Sequence, residues 1–188
     1  MRQILNAAAG LFLLTTLWTG SVHAQVSVLA GHPLIDGAAI GDVEVVEFWL
    51  KRGFQADIRD EDGRTPLILA AMNGSSEIVQ MLIESGASVD LPDKFGSTAL
   101  AAVASNGEIE ILEYLLENGA QPNVQSKAGE TALMLAAKSG FLDVVELLLE
   151  NGADTTLLDY TGRGVLSWSD DGRNPSIRRT LEKAGATE

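Results

Sequence analysis

Histidine and cysteine, the side chains most often recruited to make and break bonds, are scarce or missing in this chain, and no other residues fall at catalytic spacings. There are two histidines, His23 and His32, and no cysteine. Disulfides and thiolate metal sites are therefore excluded. The sequence has no G-x-S-x-G, no glycine-rich phosphate loop and no His set at metal-ligand spacing. The acidic run Asp60-Glu61-Asp62-Gly63 resembles the start of a calcium loop, where clustered carboxylates and a turn glycine suit a hard cation. It lacks the further spacing and the distal glutamate that complete such a loop. No catalytic residue, metal or cofactor is expected. An enzyme or metalloprotein is the alternative, and metal analysis with an activity screen would separate the two. What remains are side chains suited to gripping another surface: Arg59, Arg64, Lys94, Phe95, Lys127, Lys138, Tyr160 and Arg163. Arginine and large aromatics are the residues that most often dominate protein interfaces.

The elements that must position them are best read at residues 129–153, GETALMLAAKSGFLDVVELLLENGA. Thr131 is placed to cap a first helix whose apolar side carries Leu133, Leu135, Ala136 and Ala137. Gly140 breaks that helix. A second helix carries Val144, Val145, Leu147, Leu148 and Leu149 and stops at Asn151-Gly152, where glycine can take the left-handed conformation. Neither helix approaches the roughly 12–15 residues at which an isolated helix becomes marginal in water. Their apolar faces need neighbours, and the chain supplies near-copies.

Gly41, Gly74, Gly107 and Gly140 recur every 33 residues, as do Gly53, Gly86, Gly119, Gly152 and Gly185. Thr65-Pro66-Leu67, Thr98-Ala99-Leu100 and Thr131-Ala132-Leu133 keep the same register. This pattern resembles the ankyrin repeat, a 33-residue unit with a T-P-L-H-x-A signature, over residues 31–186. The resemblance implies an all-α solenoid of helix-turn-helix pairs with projecting finger turns. About five repeats are expected, near 31–58, 59–92, 93–125, 126–158 and 159–188. The histidine of the signature is absent. Ile68, Ala101 and Met134 occupy its slot, so packing replaces that polar link between repeats.

Each finger is expected to begin with a residue that accepts local backbone bonds and to close on a glycine: Asp60 to Gly63, Asp93 to Gly96, Ser126 to Gly129, Asp159 to Gly162. The end repeats depart from the pattern. His32-Pro33 opens the first, with proline suited to the first helical turn. Trp49 stands where later repeats have leucine, either as core filling or as an exposed aromatic binder. In the fifth, Ser169 and Asp170 replace the paired alanines, and Asp171-Gly172-Arg173 cuts the first helix short. Asn174-Pro175 then reads as cap and first turn. Ile177 and Leu181 point inward and Arg178, Arg179, Glu182 and Lys183 outward, as a solenoid end requires.

The start of the chain reads as a secretory signal peptide. Arg2 supplies the positive charge, residues 5–17 the apolar run, and Val22-His23-Ala24 a small-x-small cleavage site. Cleavage is expected after Ala24, leaving a mobile leader at 25–30 and a periplasmic or secreted chain. An uncleaved anchor is the alternative. Asn73-Gly74-Ser75 is formally a glycosylation sequon, but Asn106-Gly107 fills the same slot one repeat on, so it reads as helix-break chemistry.

The chain is acidic, with a formal charge of −13. The resemblance implies binding on a concave face made of finger tips and the near side of the first helices. Those slots include the basic Arg59, Arg64, Lys94, Lys127, Lys138 and Arg163, the acidic Glu61, Asp62, Glu130 and Asp171, and the neutral Met72, Asn73, Phe95, Ser97, Ser105, Asn106, Gln125, Ser139, Tyr160 and Thr161. The acidic excess lies mainly on second helices, from Glu44 to Glu150, and suits solubility. It argues against nucleic acid, which needs a basic stripe. The expected partner is a protein, bound by a monomer without membrane attachment after signal cleavage. The alternative is an inhibitor or immunity protein that turns its acidic side to a basic toxin or hydrolase.

Overall fold

The computed structural model describes residues 32–172 and 174–187; the expected signal peptide and leader lie outside the described residues. These residues form ten α-helices: α1 (Pro33–Ile40), α2 (Val43–Lys51), α3 (Pro66–Asn73), α4 (Ser76–Glu84), α5 (Ala99–Asn106), α6 (Ile109–Glu117), α7 (Ala132–Ser139), α8 (Leu142–Glu150), α9 (Val165–Asp170) and α10 (Pro175–Lys183). None is long and apolar enough to cross a membrane. The odd-numbered helices stack on one another in sequence order, and the even-numbered ones form a second layer behind them. This is the all-α solenoid that the 33-residue period implies.

Local chemistry sets each helix boundary. Thr65, Thr98 and Thr131 cap α3, α5 and α7, each accepting a backbone N–H at 3.3 Å through its hydroxyl. All three threonines are buried, so this bond also satisfies a polar atom that water cannot reach. His32 fills the same role for α1, its Nδ1 accepting from the Leu34 N–H at 3.2 Å. Behind the caps, Ala70, Ala71, Ala104, Ala136 and Ala137 have no exposed surface. Side chains this small let the first helices approach closely. Leu82, Leu115 and Leu148 fill the space between the layers and are fully buried.

The fingers join as a ladder. The N–H of Lys94 donates to Asp62 O at 2.9 Å, that of Lys127 to Phe95 O at 2.8 Å, and that of Tyr160 to Ala128 O at 3.0 Å. A Cβ on Gly96 or Gly129 would lie 2.9 or 2.5 Å from the backbone nitrogen of the next finger, and both residues have positive φ. Glycine is required there twice over. On the other side of the stack, Asp57 accepts from the Ser88 N–H, Asp90 from the Gln121 N–H and Asn123 from the Asp154 N–H, all at 2.8–2.9 Å.

The two ends are closed differently. Trp49 stays partly exposed where its sister leucines are buried, because no described repeat precedes it. Its ring lies 4.6 Å from Phe54, 5.5 Å from Phe48 and 5.6 Å from His32. These aromatics shield one another where a neighbouring repeat would otherwise do so. At the other end α9 has only six residues and no side-chain cap at Gly164. Asn174 caps α10, Ile177 and Leu181 are fully buried, and Arg179, Glu182 and Lys183 are exposed.

Candidate interaction surface

The finger turns are fixed by their first residues. Asp60 accepts from the N–H groups of Asp62 and Arg64 at 2.9 and 2.8 Å, and Asp93 accepts from those of Phe95 and Ser97 at 2.8 Å. Ser126 does the same for Ala128 and Glu130 at 3.2 Å. The turn holds the tip residues through their backbone N–H groups and does not call on their side chains.

Four of the eight candidate side chains are engaged within the chain. Arg59 donates from one guanidinium nitrogen to Gly63 O at 2.7 Å and to Pro92 O at 2.6 Å, stapling its finger to the residue just before the next finger. Arg64 pairs with Asp60 at 2.7 Å and with Asp62 at 3.2 Å. Burial works against the Asp60 carboxylate, but the bonds from Arg64 outweigh it and hold the carboxyl below its ordinary range. Arg163 bonds Ser167 and Asp171, and its pairing with Asp171 raises its already high pKa further. Lys138 and Arg163 each lie against the buried Trp168 ring, at 5.1 and 5.3 Å from its centre.

The other four are open. Phe95 is 66% exposed and Tyr160 71% exposed. Lys94 and Lys127 are exposed, and neither takes part in an ion pair among the described residues. The stem of Lys94 lies against Gly63 and the Tyr160 ring against Gly129, so each leans on the finger before it.

Between the second and third repeats the fingers and first helices enclose a groove of about 470 Å³. Its finger wall is Asp62, Arg64, Asp93, Phe95 and Ser97; its helical wall is Ile68, Met72, Ala102, Ser105 and Asn106. Met72 is half-exposed and stands across from Phe95 as the other large apolar group. The Asn106 side chain bridges to Met72 O at 3.2 Å, tying the two repeats together under the groove. This arrangement suits a partner side chain of mixed character, apolar against Phe95 and Met72 and polar at the rim. The slot pattern did not identify Ile68, Asp93 and Ala102 as groove residues, although Ile68 stands at the signature histidine's position.

In a comparison with protein families, the profile described as ankyrin repeats (3 copies) matches residues 34–126 and 86–159. No curated protein matches the chain.

Proposed function

We propose, on the premise that the chain belongs to the ankyrin-repeat family and is thus a protein–protein interaction module, that it binds its partner through the finger and first-helix face and catalyses no reaction. The observation that carries this reading is the groove under the second and third fingers, where Phe95 and Met72 are exposed; Lys94, next to Phe95 in the chain, is exposed and in no ion pair among the described residues. Large apolar side chains on a water-facing surface, flanked by a free cation, are what an interface anchor needs. The signal-like start of the sequence supports export, and hence a partner in the periplasm or outside the cell. The test is capture from a periplasmic extract with the wild-type chain and with a Phe95→Ala/Lys94→Glu double variant. A partner retained by the first and lost by the second is expected. Equal retention by a folded double variant would remove this face from the binding site.

The exposed carboxylates of the second helices favour a second reading. Glu77, Glu84, Glu110, Glu113, Glu117, Glu146 and Glu150 all face water. An inhibitor or immunity protein would set this side against a basic toxin or hydrolase. Its association would slow steeply with added salt, whereas the groove's apolar contacts would be far less affected.

A further inference from the structure

Asparagine followed by glycine is the pair most open to intramolecular attack, because no side chain blocks the approach of the glycine nitrogen. The chain has four such pairs in its helix ends: Asn73-Gly74, Asn106-Gly107, Asn118-Gly119 and Asn151-Gly152. The fold restrains all four. Each glycine N–H donates to a carbonyl of the preceding helix, at 2.9 Å for Gly107, 3.0 Å for Gly119, 3.1 Å for Gly152 and 3.2 Å for Gly74. Three of the asparagine amides are also tied to backbone. Asn118 and Asn151 donate to Tyr114 O and Leu147 O at 2.8 Å, and Asn106 donates to Met72 O.

Asn73 differs in its side chain. The Gly74 N–H reaches the carbonyls of Ala70 and Ala71, but the Asn73 amide nitrogen donates to no carbonyl. Instead Nδ2 lies 2.7 Å from the Ser75 hydroxyl. The side chain is exposed to water. We propose that Asn73 is a self-modifying site, which converts to a carboxylate through a cyclic imide with Gly74 while the rest of the repeat array stays folded.

The step balances without an oxidant or cofactor. Hydroxide from solvent removes the Gly74 amide proton. The bond from Gly74 N to Asn73 Cγ forms and the Cγ–Nδ2 bond breaks. In the folded state Nδ2 donates to the Ser75 hydroxyl oxygen; as the Cγ–Nδ2 bond breaks, the hydroxyl turns to give its proton to the leaving nitrogen, which departs as ammonia, and water restores the hydroxyl. Water opens the imide ring at Cγ to leave an aspartate, or at the backbone carbonyl to leave its β-linked isomer. The product has a consequence for the stack. Asn73 Nδ2 rests against Gly41, within 2.6 Å of where a Cβ would be, and Gly41 ends α1. A new negative charge there faces the negative end of the α1 dipole and loosens the first repeat.

The experiment incubates the whole folded protein in mildly alkaline buffer and follows tryptic peptides by mass. The peptide from Thr65 to Lys94 contains Asn73 and no other asparagine. Conversion is expected there several-fold faster than at Asn106, Asn118 or Asn151, and in denaturant this ranking should collapse. Ser75→Ala should slow conversion at position 73 several-fold and leave the other three unchanged, and Ser75→Thr should restore it. Ser75 makes no side-chain bond to the start of α4, so the alanine variant keeps its helix. Conversion at Asn73 no faster than at the other three would overturn the proposal. So would a Ser75→Ala rate equal to wild type, or a slowdown that Ser75→Thr does not reverse.

Discussion

The Trp168 indole N–H donates to the Asp159 carboxylate at 3.0 Å, and both residues are buried in the last repeat. The same carboxylate takes bonds from the Thr161 hydroxyl and from the N–H groups of Thr161 and Arg163. Burial alone would raise its pKa. The bonds from Thr161, Arg163 and Trp168 outweigh burial and bring it down to about 2 from an ordinary 3.8. A depressed folded-state value stabilises the fold at all pH above the ordinary one and loses that contribution as pH falls toward the folded one. Asp159 is thus expected to help hold the fifth repeat down to about pH 4 and to release it between there and about pH 2. Trp168→Phe removes one donor, so the Asp159 carboxyl should titrate higher by carbon-13 NMR. Acid unfolding followed by circular dichroism should then begin at a higher pH. An unchanged Asp159 titration would show that the indole bond does not hold the charge.

Leu148 is fully buried between the layers, while Glu150 on the same helix faces water. Leu148→Ala should cost about 2–5 kcal/mol, the range for a core leucine that leaves a cavity. Glu150→Ala should stay within roughly 0.5 kcal/mol. Urea titrations of the two variants measure this, and equal midpoints would contradict the assignment of helix faces.

Arg59 and Phe95 separate scaffold from binding surface. Arg59→Ala removes two bonds, one to a carbonyl of its own finger and one to the Pro92 carbonyl just before the next finger, so it should lower stability by about 1 kcal/mol. Phe95→Ala removes a ring that is two-thirds exposed. It should leave the melting temperature nearly unchanged and weaken partner binding by about 2 kcal/mol or more, as an interface hot spot does. Calorimetry of both variants, free and with the captured partner, gives the contrast. A melting temperature that falls more for Phe95→Ala than for Arg59→Ala would reverse the two roles.

Export can be tested at the N-terminus. From the apolar run and the Val22-His23-Ala24 site we propose Gln25 as the first residue of a processed chain. Edman sequencing of the exported protein should begin at Gln25. Recovery of Met1 would remove the basis for a periplasmic location.

The helix boundaries were legible in the sequence because they depend on residues close in the chain. Thr131 caps its own helix and Gly140 ends it, and the 33-residue register carries both rules to the sister repeats. The finger turns were legible for the same reason, since Asp60 and Asp93 bond residues two and four positions on. The candidate anchors were only partly legible. Arg59 and Arg163 look like free cations until the stack brings Pro92 O to one and Trp168 to the other. Such partners lie at a repeat junction or depend on the degenerate fifth repeat, where slot counting loses its guide. One signal was available: Arg59 and Gln125 share a slot, and Gln125 likewise bonds Gly129 O and Leu158 O at 2.9 Å. Two long donors in one register, with Pro92 between them, mark a staple rather than a contact site.

The placement of Trp49 and Trp168 gives the array a built-in readout. Among the described residues these are the two tryptophans, one in the first repeat and one in the fifth. Trp49 is partly open to solvent among other rings, while Trp168 is buried with two cations near its ring. Their emission should therefore differ in colour and in quenching by iodide or acrylamide. Because each repeat touches only its neighbours, loss of structure can begin at either end and travel inward. Single-tryptophan versions would report which end lets go first, without any added label.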